Sequence, residues 1–517
     1  MPLYHTKQSE KQVSELDTPV ILDVLLEDRE QEQLSENRLH FVDVTDTTGV
    51  RKKRYHDNEN LFHSVSNVPG GVDLYGEIER YWETMVSSNT STGRTIEELA
   101  HVQHRTTVKD LHLDGIRSYI HSDLDIQKRI EFVRSLHRRQ APKRQHAKVC
   151  IAASIAHDAE AFKLSVMPWI QYHIEMGVDA FYIMYDGKDG EAVEMITSLD
   201  PIVKMSSLRP EFASKEDYEE FQKFNESTKV SDEGNYELMK KQKYGAQWAI
   251  KAAQQDGKDW IIQIDPDELF LTTRYSSIPE VFHSVPSSVP AMRFMNFEAQ
   301  VEAGDVKYPF YEVNLFRAPK FFSTPEAIHY RSTFKQGLNP GFVYLYANGK
   351  SAARLSASGL RQYGPHYFNG PPHQSYISED NAKGDWTNVI SHESIILHYT
   401  YCDPNEVTKK AKLSCPQLFG RKDVDYDTVK KECFILDIDA HAFMAANAGE
   451  EEAISFFYQN FVYSEGAPVR CAAKRGGYTW CALHDIERLK VLLERVGLFR
   501  RFTLPQHILI QHEFALI

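Results

Sequence analysis

The six cysteines of this 517-residue chain include no Cys-x-x-Cys pair, so the spacing of a structural zinc site is missing. They are Cys150, Cys402, Cys415, Cys433, Cys471 and Cys481. Four of the last five could pair, yet the number is ordinary for a reduced cytosolic protein, so cysteine usage leaves the compartment open. Long apolar runs are also lacking. In the polar first forty residues, Pro19–Leu26 is the one apolar interruption, too short to span a bilayer and without the flanks of a signal peptide. A soluble, cytoplasmic setting is favoured on that ground, with the Golgi or secretory lumen as the alternative. Basic excess is missing too: 59 Lys and Arg face 73 Asp and Glu, a formal charge of −14 that excludes a nucleic-acid-binding role. The basic runs Arg51-Lys52-Lys53-Arg54 and Arg138 through Lys148 are local and read as solvated faces or a linker. No internal repeat or low-complexity block is present, which removes solenoid and array architectures.

What is present is a folded composition, 42% hydrophobic and 12% aromatic, in a chain long enough for about two to four domains. Its most informative stretch is Trp260-Ile261-Ile262-Gln263-Ile264-Asp265-Pro266-Asp267-Glu268-Leu269-Phe270. The β-branched and aromatic run reads as a buried, parallel strand delivering three carboxylates. In extended chain Asp265 and Asp267 project from one face, and Pro266 biases Asp265 toward that shape. Carboxylates crowded on one face repel unless something positive separates them, and a hard divalent cation is the economical solution. Asp-x-Asp recurs elsewhere, most competitively at Asp437/Asp439 behind the strand-like Cys433–Leu436. The 265 site is preferred for its third acid, Glu268, and for its position among strand and helix patterns.

Those patterns run in series. Lys148–Ser154 reads as a first strand. A helix carrying Phe162, Val166, Trp169, Ile170 and His173 follows, with Pro168 early and Gly177 as its stop. Val178–Tyr185 reads as a second strand, Glu191–Leu199 as a helix, Ile202–Met205 as a third strand, and Tyr236–Gln254 as a helix feeding the Asp265 strand. This is the grammar of a doubly wound α/β sheet, whose ligands sit outside the carboxyl ends of the strands. Asp186 and Asp265 both fall at such ends.

Four blocks resemble glycosyltransferase family 92 and its family 2-like relatives. Trp169-Ile170-Gln171-Tyr172-His173 with Gly177-Val178-Asp179 and Phe181-Tyr182-Ile183 is similar to the opening of that family. Trp260–Phe270 is similar to its acidic element. Lys350-Ser351-Ala352-Ala353-Arg354 with His366 is similar to a Lys…Arg…His block. His398-Tyr399 with Lys409 and Lys410 is similar to its ending. The blocks cover roughly residues 148–412. The resemblance implies a GT-A fold (a Rossmann-like nucleotide-diphospho-sugar transferase with a mixed sheet flanked by helices), a nucleotide-sugar donor, UDP-sugar favoured, and a divalent metal, manganese favoured over magnesium. Around a catalytic region at 147–412, residues 1–146 read as α-rich from the amphipathic spacing of Ile126, Ile130 and Val133, and 413–517 as mostly helical from the stripe Ile486, Leu489, Leu492 and Leu493. Relatives commonly carry a membrane anchor, which this chain does not display. Departures fall in the first loop, where Ala156-His157-Asp158-Ala159-Glu160 replaces the usual Asn-Glu, and at Gly187–Gly190, Pro168 and Pro266.

The expected roles follow. Asp267 holds the metal, and Asp265 contacts metal, water or ribose. Glu268 orients that site or serves as a cap. His398 is a third metal or pyrophosphate contact, with His366 competing for the same task. Lys350 and Arg354 neutralise the diphosphate, unless their alternation marks an exposed edge. Asp186 meets the uridine or ribose. An inverting enzyme needs a base for the acceptor hydroxyl, and Glu379-Asp380, in a turn-rich lid-like loop, supplies it, Asp380 first. The acceptor is a glycan or glycoconjugate. Two alternatives stay open: a non-catalytic carbohydrate-binding or scaffold protein on the same fold, and an Asp-based phosphohydrolase, against which Glu268-Leu269 counts.

Overall fold

A computed structural model describes residues 117, 120, 126–227, 236–319, 349–363, 366–368, 388–391, 393–433, 437–462, 468–472, 478–482, 486–495 and 497–516. Helix α1 (Ile126–Arg139) leads into β1 (Val149–Ile155). The next helical stretch is interrupted. A single turn at Ala159–Ala161 passes through a π turn, Phe162–Val166, before α2 (Met167–Glu175) begins. Pro168 explains the break: it has no N–H for the Leu164 carbonyl, and its ring crowds that carbonyl, so the ladder bulges there. Gly177, at φ +95°, ends α2, and the N–H of Val178 returns to the His173 carbonyl at 2.9 Å.

The predicted alternation continues with β2 (Ala180–Tyr185), α3 (Gly190–Thr197) and β3 (Val203–Ser207), then, after a further helix α4 (Lys215–Ser227) outside the predicted series, with α5 (Tyr236–Gln255) and β4 (Trp260–Gln263). Strands β4, β1, β2 and β3 pair in parallel in that order. Alternate residues of β1 sort to opposite buried faces. Cys150 and Ala152 pack with Ala249, Ile250 and Ala253 of α5, whereas Val149, Ile151 and Ala153 join the larger core with Trp169 and Ile170. Both faces are dry, which is why the strands read as continuous apolar runs.

After β5 (Glu268–Thr272) and α6 (Ile278–Ser284) come β6 (Ala291–Phe294), β7 (Asn296–Ala299), β8 (Leu315–Arg317), β9 (Lys350–Arg354), the hairpin β10 (Gln362–Tyr363) and β11 (Tyr367–Phe368), β12 (Asn388–Ile390) and β13 (Ser394–His398). The first sheet has the order β12-β6-β9-β4-β1-β2-β3, with β9 antiparallel to both neighbours, so β4 is parallel on one side only. A second sheet runs β16-β8-β7-β13-β5. Its edge strand β16 comes from the C-terminal region, which comprises α7 (Pro404–Ser414), α8 (Tyr426–Cys433), α9 (Asp437–Ala448), α10 (Glu450–Phe461), the hairpin β14 (Pro468–Ala472) and β15 (Tyr478–Ala482), α11 (Ile486–Arg495), β16 (Phe499–Arg501) and α12 (Leu504–Leu516). Cys433 therefore closes a helix rather than opening a strand, and Asp437 and Asp439 start another. The competing Asp-x-Asp pair has no strand end at Cys433 or Asp437 to present it. The fold is thus a mixed α/β one, with parallel and antiparallel pairing and helices on the flanks. No described helix is long and apolar enough to cross a membrane.

Candidate active site

The chain lays β2 and β3 to one side of β1, then returns to lay β4 on the other. In a doubly wound sheet the ligand crevice lies where the order reverses, which here is outside the carboxyl ends of β1 and β4. His157 follows β1 there, and the Asp265–Glu268 turn follows β4.

That turn differs from the extended arrangement predicted for it. Residues 264–267 leave the strand, and the N–H of Glu268 donates to the Asp265 carbonyl at 3.0 Å. The Glu268 carboxylate in turn accepts from the Asp265 N–H at 2.9 Å. Pro266 sits inside this reverse turn, so Asp265 and Asp267 part company instead of sharing a face. Asp265 forms an ion pair with the Lys350 ammonium. Asp267 turns to His398, whose Nε2 lies 3.5 Å from Oδ2. Its backbone carbonyl accepts from the Tyr399 N–H at 2.8 Å.

The second sheet places the rest by register. His398 on β13 is directly opposite Glu268 on β5 and Glu298 on β7. Three strands thus bring an imidazole between two acids, and Nδ1 contacts Glu298 Oε2 at 2.8 Å. Burial opposes charge on His398, but Glu298 and Asp267 outweigh it and hold the imidazolium well above its usual range. Burial likewise opposes ionisation of Asp267, yet His398, Lys410 and Lys350 together hold it well below the usual carboxylate range. Glu268, buried at 1% exposure, is pushed up to about 7 by burial against the pull of Lys350.

Helix α2 supports this turn from behind. Trp169 Nε1–H donates to the Glu268 carbonyl at 2.8 Å, and the Tyr172 hydroxyl donates to the Phe270 carbonyl at 2.9 Å. His173 accepts the Phe270 N–H through Nε2 at 3.2 Å, with Nδ1 facing the Trp169 carbonyl at 2.8 Å. Three side chains at i, i+3 and i+4 on one helix face thereby grip β5. Burial lowers His173 to about 3, so it stays neutral and can accept.

The remaining candidates are dispersed. On β9, Lys350 pairs with Phe294 near the crevice, while Arg354 pairs with Trp260 at the other end of β4. Arg354 stacks 4.4 Å over the Trp260 ring and donates to the Val285 and Pro286 carbonyls at 3.2 and 3.1 Å. It lines a separate cavity of about 270 Å³ with His146 and His283. Four residues of strand separate it from Lys350, about 13 Å, so the diphosphate role expected of it is not carried forward. Lys350 itself is 2% exposed, also 3.4 Å from Glu268, and faces carboxylates rather than open space. Gly349, at φ +65°, allows this approach, since a Cβ there would collide with the Phe294 carbonyl. His366 braces the same corner, with Nδ1 2.9 Å from the Gly349 carbonyl. Burial, then Lys350, lowers it to about 3, and no contact joins it to Asp267 among the described residues. Asp186, at the tip of β2, is 2.9 Å from Lys241 and 3.4 Å from Arg209. Glu379 and Asp380 lie outside the described residues.

Four residues at the site had no role assigned to them from sequence, although Lys410 and His157 stood in blocks already named. Glu298 left a readable signal, an acid inside the apolar run Phe294–Ala299. Lys410 lies 3.9 Å from Asp267, and Glu406 on the same helix is pushed up to about 7 by burial. His157 has an enclosed Nδ1 with no partner among the described residues, and burial lowers its pKa. Nothing in the spacing of these three announced their place: His157 follows β1, whereas Glu406 and Lys410 arrive together on α7. Among the described residues no group of three or more His, Cys, Asp or Glu is placed to hold a metal ion.

No protein-family model matches the chain. Two proteins of Arabidopsis thaliana, each named glycosyltransferase-like, are similar to it. One is 31% identical over 331 residues, covering 62% of this chain and 66% of the relative. The other is 29% identical over 371 residues, covering 70% of this chain and 63% of the relative. The chain spans just under two thirds of the length of these curated relatives. Among solved structures, that of CMP:2-keto-3-deoxy-manno-octonic acid synthetase complexed with CTP aligns with 47% of this chain and 89% of that one. At 11% identity and a TM-score of 0.20 it carries no argument. Through the two plant proteins, this chain is related to proteins named glycosyltransferase-like, and that relationship supports a glycosyltransferase.

Proposed function

We propose that the protein is a metal-dependent GT-A glycosyltransferase, moving a sugar from a nucleotide-sugar donor to a hydroxyl of a glycan or glycoconjugate with inversion. The observation that carries this reading is the pair Asp267 and His398, 3.5 Å apart at the crevice, with Glu298 fixing the far side of the imidazole. A ring nitrogen oriented by a carboxylate, facing a second carboxylate, would suit a divalent cation that displaces the proton the two acids otherwise hold on the ring. Two protein donors suit an ion that takes its other ligands from phosphates and water. Asp267 and His398 would hold that ion, while Asp265, engaged by Lys350, keeps out of its coordination. When bound, a divalent cation, manganese favoured and magnesium the alternative, supplies Lewis-acid stabilisation of the departing diphosphate.

In the transfer itself, the bond from the anomeric carbon to the diphosphate oxygen breaks with its electron pair going to the diphosphate. The acceptor oxygen bonds to that carbon and gives up its proton to a base, for which Asp380 with Glu379 is the candidate. Asp186, held by Lys241 and Arg209, would meet the nucleoside in this reading. The phosphohydrolase alternative wants both acids of the pair at one phosphorus, and the reverse turn sends them to different partners.

The test is thermal unfolding with a panel of nucleoside diphosphates (UDP, GDP, ADP and CDP), with and without Mn²⁺, followed by nucleotide release from the corresponding sugars. Stabilisation by one diphosphate only with metal, lost in Asp267→Ala, is expected, together with acceptor-dependent release. Metal-dependent binding with no release from any sugar would favour the non-catalytic alternative. Binding indifferent to Mn²⁺ and to Asp267 would refute the proposed site.

A further inference from the structure

We propose that Lys410, rather than Lys350, is the ammonium that meets the leaving diphosphate, and that Lys350 is an internal counter-ion positioning the acidic turn. This assignment rests on the transferase reading and divides labour between two lysines of the same site.

The two differ in access. The Lys350 side chain is 3% exposed and spans Asp265 and Glu268, so a ligand in the crevice meets it only through those acids. The Lys410 side chain is 27% exposed and sits 3.9 Å from Asp267, which is 36% exposed and the most open member of the cluster. Both are more exposed than the His398 side chain, at 10%. A phosphate brought to Asp267 and His398 by a cation therefore arrives beside Lys410.

The loop that carries Lys410 is built around it. Tyr401 joins β13 to α7 at φ 52°, the one non-glycine residue at positive φ among the described residues. A bulky side chain held there costs about 1–3 kcal/mol and persists where its surroundings over-determine it. The Tyr401 ring stacks on Phe461 at 4.4 Å, and its hydroxyl donates to Asp439 at 2.6 Å. The ring's position puts it 4.8 Å below the Lys410 ammonium, which also donates to the Thr400 hydroxyl. An aromatic face and a hydroxyl orient the ammonium, and its ion pair with Asp267 is a long 3.9 Å, a geometry in which it can still attract phosphate oxygens. Lys410 moves no proton in this scheme. It attracts the oxygen that receives the electron pair as the sugar–phosphate bond breaks.

The experiment compares UDP, GDP, ADP and CDP with their monophosphates in Mn²⁺, measuring affinity by calorimetry in the full chain, Lys410→Ala, Lys410→Arg and Lys350→Met. Lys410→Ala is expected to weaken the preferred diphosphate about tenfold or more, leave the monophosphate within about twofold, and recover in part as Lys410→Arg. Lys350→Met is expected to leave the ratio of diphosphate to monophosphate affinity unchanged; if it does not fold, the Lys410 variants decide alone. Equal losses for both nucleotides in Lys410→Ala, or a selective diphosphate loss in Lys350→Met, would overturn the assignment while sparing the transferase reading. If no diphosphate binds the unaltered protein with metal, both fall together.

Discussion

Glu406 illustrates how a residue with an ordinary local task can acquire a pH signature. It sits in the first turn of α7, where its carboxylate accepts the Cys402 N–H at 3.0 Å and Asp403 caps the helix through the Asn405 N–H at 2.8 Å. Burial raises it to about 7, against the pull of Lys410 and with the repulsion of Asp267. A carboxyl whose folded pKa is raised above its unfolded value near 4.5 adds stability that is complete below that value and lost as pH rises through about 7. Stability to urea should therefore decline between pH 4.5 and 7, and Glu406→Gln should flatten that slope. An identical slope in the variant would show that another group sets it.

At the scale of elements, the pairing of α2 with β5 explains why Trp169, Tyr172 and His173 occur at that spacing. They are structural clamps, each making a hydrogen bond with the backbone of the strand that begins at Glu268. Removing one leaves a buried carbonyl or N–H without its partner, which costs about 1–3 kcal/mol. His173→Leu, which keeps the volume and discards the acceptor, should lower the unfolding free energy by that amount. It should also weaken metal-dependent nucleotide binding, because the turn carrying Asp267 leads directly into β5. Unchanged nucleotide affinity beside lost stability would confine the clamp to folding.

Across the whole molecule, the C-terminal region is stitched into the α/β body. Strand β16 pairs with β8, and Glu513 on α12 binds Arg129 of α1 at 2.9 and 3.0 Å while accepting from the Tyr311 hydroxyl at 2.9 Å. Arg129 is 4% and Glu513 1% exposed, so loss of either charge strands the other. Glu513→Ala should cost about 3–5 kcal/mol and shift unfolding as a whole. A C-terminal transition that separates from the rest would mean that this tie does not couple the regions. Cys415 and Cys433 add a covalent link between α7 and α8, with Cα atoms 5.4 Å apart, while Cys150 and Cys402 are free and buried.

The order of strands and helices from β1 to β4 was legible because apolar period and breaker residues are local properties. Gly177, Pro168 and the run Trp260–Gln263 each acted within a few residues of themselves. Asp267 and His398 could be picked out as candidates the same way, from acids and a histidine closing apolar runs. What the chain could not disclose locally was which partner each would find. Whether Asp265 meets a metal or Lys350 depends on a strand 85 residues later arriving in antiparallel register. Whether Arg354 reaches a phosphate depends on which end of that strand abuts the crevice. The placement of Glu298, Lys410 and Arg354 was left to tertiary structure, since charge interactions act over a few ångströms of space while sequence records only distance along the backbone.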